Sequence, residues 1–338
     1  MHIKSLTLAS LSVLALMSST AMADPFRLIL THLEPPLVPN SVMDLAKELG
    51  YFEREGVDVE LVRVQQTPSA IAALQAGEGE MANIGVDALL QLTAQGASDL
   101  IAVTSPNKSL PYLIAAKSEI ATVADMKGRS FGVGRVGSLD YSLSMKVFEH
   151  AGLDTSTLEI LTLGQPNVRG QALAAGQVDA TTMSVGVWLS LPERDGLSVL
   201  VDQADYYAAA SVVNKVNVVP AKVLEERRAD VIAVITALTK LSRDFNADPA
   251  KWVDAMQAYK GNLSDADLAY LADSFKGSWS VNGGFSVPEL QATQDYLYTT
   301  EDFAGVAPVT LDQWTDFTVM DEVLAAIGVD DSGDTPAR

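Results

Sequence analysis

A turn, helix, glycine and strand pattern occurs twice at one fixed distance. Gln66-Thr67-Pro68 leads through Ala73-Leu74 to Ala76-Gly77 and Glu80, and Gln165-Pro166-Asn167 leads through Ala172-Leu173 to Ala175-Gly176 and Asp179. Matching positions are 99 residues apart. Each copy reads as a turn, a helix closed by a glycine, and a short strand. The echo implies two similar α/β units rather than one large sheet. Helix-glycine-strand sequences are common in α/β proteins, so chance recurrence is the competing reading.

The rest of the chain continues the alternation. Phe26 to Leu30 is a short apolar strand, and the helix after it starts near Ser41. Ser41 is placed to cap that helix, with Asp44 three residues on; Val42, Leu45, Ala46 and Leu49 share one face before Gly50 stops it. Further strands are expected at Val57 to Val64, Met81 to Val86, Leu100 to Thr104, Ser130 to Val133, Leu158 to Leu163 and Val178 to Met183. Strands separated by helices imply parallel sheets with right-handed crossovers. From Pro220 onward the pattern is mostly helical, with breaks near Gly261, Gly283-Gly284 and Pro308.

At the amino terminus, Lys4 precedes an apolar run from Leu6 to Met17, and Ala21-Met22-Ala23 stands before Asp24. This is the layout of a signal peptide over residues 1 to 23, cleaved after Ala23. The run falls short of the roughly 20 residues that span a bilayer. Export to a periplasm is the expectation. The chain contains no cysteine, which removes disulfides, thiolate metal sites, a lipid-anchoring cysteine and cysteine nucleophiles together. About 315 residues after cleavage favour two domains over one. The formal net charge is −20, and −21 without Lys4. Such a charge opposes contact with nucleic acid or anionic lipid and says little about a small ligand.

Four segments carry a family resemblance: "AKELGYFEREGVDVELV" (46–62), "ALQAGEGEMANIGVDALL" (73–90), "VADMKGRSFGVGRVGSLDY" (123–141) and "ALAAGQVDATTMSVGVW" (172–188). In order and spacing they resemble periplasmic substrate-binding proteins of ABC importers, in the nitrate, sulfonate and taurine class. Relatives in that superfamily bind thiamine-pyrimidine precursors. The resemblance covers residues 26 to about 260 and lies in the scaffold. It implies the type II periplasmic binding fold: two α/β lobes joined by two crossovers, with a helical carboxy-terminal region. One lobe would hold 24–111 and 213–338, the other 112–212, and "SLPYLIAAK" and "AAASVVNK" would be the crossings. It also implies a small-molecule ligand taken between the lobes, delivery to a permease with a cytoplasmic ATPase, no cofactor, and a monomer.

Candidate site residues sit where parallel strands end and helices begin, the place where open α/β sheets bind ligands. Gly132, Gly134 and Gly137 have the G-x-G-x-x-G spacing of a dinucleotide turn. That site also wants an acidic residue closing the next strand, and Leu158 to Leu163 ends in Gly164-Gln165 instead. The expectation is therefore that Gly137 and Ser138 present backbone N–H groups to an anionic or strongly polar head group. The proline-rich loop Thr31 to Asn40 contributes His32, Leu33 or Glu34, a role the family gives this loop; a surface or capped histidine is the alternative.

Gly85, Val86 and Asp87 enter a helix, where Asp87 could equally be its N-cap. Ser184, Gly186 and Trp188 occupy the echo of that position, Trp188 either stacking on a flat ligand or filling core. Thr67, Asn107 and Asn167 complete the polar set. Arg135 and Arg169 stand on separate cleft loops and suit a carboxylate or sulfonate, although most arginines are simply solvated. Together they favour a small organic anion; a pyrimidine precursor, or a periplasmic sensor role, are the alternatives. Catalysis is not expected. There is no H-E-x-x-H and no cysteine, the cysteine-rich motif of the superfamily's pyrimidine synthase is absent, and His150 reads as a cap at a helix end.

Overall fold

The computed structural model describes residues 24–96, 99–106, 108, 112–136, 138–210 and 212–335. The leader segment and the candidates Asn107 and Gly137 lie outside them. Ten strands occur among the described residues: β1 (Phe26–Leu30), β2 (Val59–Arg63), β3 (Met81–Gly85), β4 (Leu100–Thr104), β5 (Tyr112–Lys117), β6 (Ser130–Val133), β7 (Glu159–Thr162), β8 (Ala180–Ser184), β9 (Leu197–Val201) and β10 (Lys215–Pro220). They form two five-stranded sheets, β2-β1-β3-β10-β4 and β7-β6-β8-β5-β9.

The two orders have the same pattern, and the echo is part of it. Helices Thr67–Gln75 and Pro166–Ala174 are equivalent, as are β3 and β8, all at the same spacing. Gly77 and Gly176 close these helices at φ 73° and 71°, a left-handed conformation that glycine adopts without Cβ strain.

Neither sheet is purely parallel, which corrects the sequence expectation. β10 runs antiparallel to β3 and β4, and β5 antiparallel to β8 and β9. The segments read as plain crossings end in these strands. Lys215-Val-Asn-Val-Val-Pro is a strand because Val216, Val218 and Val219 are fully buried between neighbours on both sides, where β-branched residues pack well. Central strands such as β3 are buried along their whole length, whereas edge strand β7 is largely uncovered, as layered α/β sheets require.

Helices cover the sheets. The 20-residue helix Arg228–Ala247 buries Val231, Val234, Ile235, Leu238, Leu241 and Phe245, one apolar stripe at helical spacing. Beyond it Phe245, Trp252, Phe275 and Trp279 pack together, with Trp252 edge-on to Phe275 at 5.4 Å between centroids. Ser41 belongs to this packing and not to a cap. Its hydroxyl donates to the Val38 carbonyl at 2.8 Å and accepts the Trp252 indole N–H at 3.0 Å, and it makes no capping bond to the helix Val42–Glu48.

The echo extends to one acid in each sheet. Glu80 accepts the backbone N–H of Arg27 at 2.6 Å and its guanidinium Nη2 at 2.6 Å. Asp179, its counterpart, accepts the backbone N–H of Ser130 at 3.0 Å and the Lys117 ammonium at 2.7 Å. Each acid thereby pins the start of a strand, at Arg27 in β1 and Ser130 in β6. Burial pushes the Asp179 carboxyl up, but Lys117 and the Ser130 N–H and hydroxyl outweigh it and hold it at about 2. A depressed carboxylate contributes stability that is present above its unfolded pKa and lost as pH falls through the folded value. Asp179→Asn is expected to cost about 2 kcal/mol in urea unfolding at pH 7. The gap between variant and wild type should close as pH falls from about 4 to about 2.

Candidate ligand site between the two sheets

β6 ends at Val133, and the glycine turn follows before helix Leu139–His150. The turn surrounds an anion that belongs to the chain. Asp140, in the first turn of that helix, accepts the backbone N–H of Gly134 at 2.8 Å, lies 2.5 Å from the Ser138 hydroxyl and pairs with Arg169 at 3.3 Å. A Cβ at Gly134 would stand 3.0 Å from the Asp140 carboxylate and 3.3 Å from the Arg169 guanidinium; a bare backbone lets both approach. The positive end of the helix dipole, which the sequence offers to a ligand, is met by the chain's own carboxylate.

Arg169 is buried, at 3% exposure. It donates to the Gly164 carbonyl at 2.5 Å and to the Thr182 carbonyl at 3.0 and 3.3 Å. Its donors stitch the β7 loop to β8. Arg135 behaves differently. Its side chain is 65% exposed, and its nearest acid is Asp302 at 3.7 Å. A cavity of about 320 Å³ lies here, lined by Arg135, Ser138, Asp140, Arg169, Tyr112 and Gln165, and by Gln66 at the start of helix Thr67–Gln75 in the first unit.

On the first sheet's side, antiparallel β10 brings Lys215 beside Gly85, the last residue of β3. The Lys215 ammonium donates to the Thr31 hydroxyl at 2.6 Å. Gly85 N–H donates to the Thr67 hydroxyl at 3.2 Å. Asp87 stands in the first turn of helix Val86–Ala94; Gly85 holds the cap position, which corrects the N-cap reading of Asp87. Neither Lys215 nor Asp87 has an ion-pair partner within 4.0 Å among the described residues.

Their environment moves both. Burial pushes the Lys215 ammonium down to about 8, with Asp87 pulling the other way. Burial pushes the Asp87 carboxyl up, against the Ala88 N–H and the charge of Arg135. Tyr112 rises to about 12 through burial and the nearby Asp140, against Arg169 and a hydrogen bond with Asn214. Removing these groups from water disfavours their charged forms.

Other candidates are distributed more widely. His32 bonds to the fully buried Asp44 at 2.8 Å, and Arg63 pairs with the same carboxylate at 2.6 Å. Leu33 and Glu34 are exposed, as is Asn167, while Val86 is buried. The proline-rich loop touches the second unit through Leu37, which lies so close to Gly186 that a Cβ there would meet it at 2.9 Å. Ser184 caps its helix by accepting the Val187 N–H at 3.2 Å. Trp188 lines a different cavity.

The sequence reading passed over Thr31, Tyr112, Asp140 and Lys215. The signal for Lys215 was a charge opening an apolar β-branched run; for Asp140 it was an acid three residues past the last glycine of the turn. A G-x-S-x-G spacing, expected to be absent, does occur at Gly128 to Gly132. Ser130 there is the first residue of β6 and its hydroxyl bonds to Asp179 at 3.0 Å, so it is no exposed nucleophile on a strand-to-helix turn.

The sequence matches the family described as NMT1/THI5 like over residues 42–251. The chain belongs to this family. Curated relatives include a protein from Brucella abortus named only as a binding protein, 28% identical over 151 residues, which are 45% of this chain and 44% of the relative. The match thus spans less than half the length of that relative.

Solved structures show the fold. The NMT1/THI5-like chain superposes on the ligand-binding component of an ABC-type import system from Staphylococcus aureus with a TM-score of 0.67 (14% identity, 88% of this chain, 98% of the other). It superposes on the alkanesulfonate-binding protein SsuA from Xanthomonas axonopodis pv. citri, bound to MOPS, with a TM-score of 0.64 (21% identity, 88% and 100%). The desulfurization enzyme DSZB is similar in fold to the same degree, with a TM-score of 0.64 (18% identity, 89% and 99%). The architecture is the two-lobed fold of periplasmic binding proteins that the sequence motifs imply.

Asp140→Ala leaves Arg169 and the Gly134 N–H without their anion. It is expected to cost about 3 kcal/mol, the range for breaking a buried pair. Sulfate at tens of millimolar should then raise the variant's melting temperature more than the wild type's, because the vacated turn is an anion site. Thermal unfolding with and without sulfate checks both.

Proposed function

We propose that this chain is the periplasmic solute-binding component of an ABC importer, taking a small organic anion between two lobes and presenting the closed form to a permease. The lobes would be 24–111 with 213–338, and 112–212. The observation that carries the reading is Lys215, a cation shielded from water beside the end of β3, which among the described residues has a threonine hydroxyl at hydrogen-bond distance and no ion-pair partner. A sulfonate or carboxylate would supply the missing charge, and Arg135 stands at the rim to meet it.

Membership of the NMT1/THI5-like family and the fold shared with a sulfonate-binding protein support binding as the activity. A fold shared with DSZB carries no catalytic group across, and this chain has no cysteine to act as a nucleophile. Closure would follow from the ligand's higher affinity for the closed arrangement. Among the described residues no helix is long and apolar enough to cross a membrane; the permease would hold the membrane.

The test uses the chain from Asp24 onward, unfolded and refolded to remove carried ligand. Thermal unfolding against sulfonates, carboxylates, inorganic anions, pyrimidines and nucleotides identifies the class, since a ligand at 100 times its Kd stabilises by about 2.7 kcal/mol. Lys215→Met should weaken the selected anion at least tenfold. With Lys215 at about 8 in the free protein, an anion that needs the ammonium binds fully below that pH. Above it the affinity should fall by about tenfold per pH unit until the bound-state pKa is reached. Unchanged affinity from pH 7 to 9.5, together with an unaffected Lys215→Met, would refute the assignment.

A further inference from the structure

A larger cavity, about 680 Å³, shares no lining residue with the first. Strand β5 divides them. Tyr112 lines the smaller and Leu113 the larger, and successive strand residues point to opposite faces. The larger cavity lies beside edge strand β9, between helices Val185–Ser190 and Gln203–Ala209 of the second unit and the end of helix Asp265–Ser274 from the carboxy-terminal region.

Its walls carry three rings, Trp188, Tyr207 and Tyr270. Tyr270 is 62% and Val199 39% exposed, so apolar surface is left open to water where a flat ring could cover it. The polar groups are few and unevenly matched. Lys276 is paired with Asp273 at 2.5 Å, and the Asp202 carboxylate accepts the Asp205 N–H at 2.9 Å. Lys108, only 8% exposed, has no ion-pair partner within 4.0 Å among the described residues. Glu289 is close enough to feel its charge, but burial favours the neutral form of that carboxyl.

We propose that this cavity is a second ligand site, for an aromatic acid: the ring lies among Trp188, Tyr207 and Tyr270, and the acid meets Lys108. The site is independent of the reading given to the smaller cavity. It has its own reporter, because Trp252, Trp279 and Trp314 are at most 1% exposed while Trp188 is partly open.

The probe is 4-hydroxybenzoate, titrated into the chain from Asp24 onward while tryptophan emission is followed. Saturable quenching is expected in the wild type and in Lys215→Met. It should be at least tenfold weaker in Lys108→Met and lost in Ala204→Phe, where a ring grown from an exposed helix position fills the cavity; Trp188→Phe should remove the signal. Absence of saturable quenching overturns the proposal. So does quenching that survives Ala204→Phe or disappears in Lys215→Met, since the probe would then bind outside this cavity.

Discussion

Each crossing between the units ends in a strand that is hydrogen-bonded on both sides. β5 lies between β8 and β9, and β10 between β3 and β4. The chain cannot change sheets and then wander; it arrives directly at a central position. The register fixes what arrives first: Tyr112 opposite Ser184 in one sheet and Lys215 opposite Gly85 in the other. Two antiparallel strands thus deliver polar residues to the ends where the parallel strands release theirs. The ladders determine the site before any loop does.

Charge in the cleft is arranged by the same geometry. The second unit satisfies itself: Asp140, Arg169, the Gly134 N–H and the Thr182 carbonyl form a closed set. The first unit does not, since Asp87 and Lys215 approach one another without pairing while both lose water. Burying a charge is costly unless it is paired, so the imbalance lies on one side of the gap only. Ligand selection would then rest on the first unit and its two charges, with the second acting as a preformed wall.

Much of this was legible in the sequence. The echo places equivalent helices and strands correctly, because a glycine at positive φ after an apolar helix leaves a strong trace. The central crossing strands were missed because β5 and β10 lie in segments that read as linkers between the units, and a chain's pairing partners are not written in local periodicity. Residue types at loop ends were found more readily than their orientations. Arg169 was expected to face a ligand, and its guanidinium turns back onto the carbonyls of β8 and the β7 loop. Trp188 was expected in the same cleft as the glycine turn, and one helical turn past Ser184 carries it to the other side of β5. Lys215 was overlooked because a lysine at a strand end usually extends into solvent, and only the tertiary fold covers it.

The carboxylate of Asp140 has a further consequence for what can enter the cleft. Inorganic phosphate and sulfate are small, abundant in many surroundings, and drawn to glycine turns at helix starts. Here the donors that such an anion would use, the Gly134 N–H and the Arg169 guanidinium, are already committed to Asp140. A second anion could lodge in the turn only by displacing a carboxylate that is tethered to the chain and therefore never dilutes away.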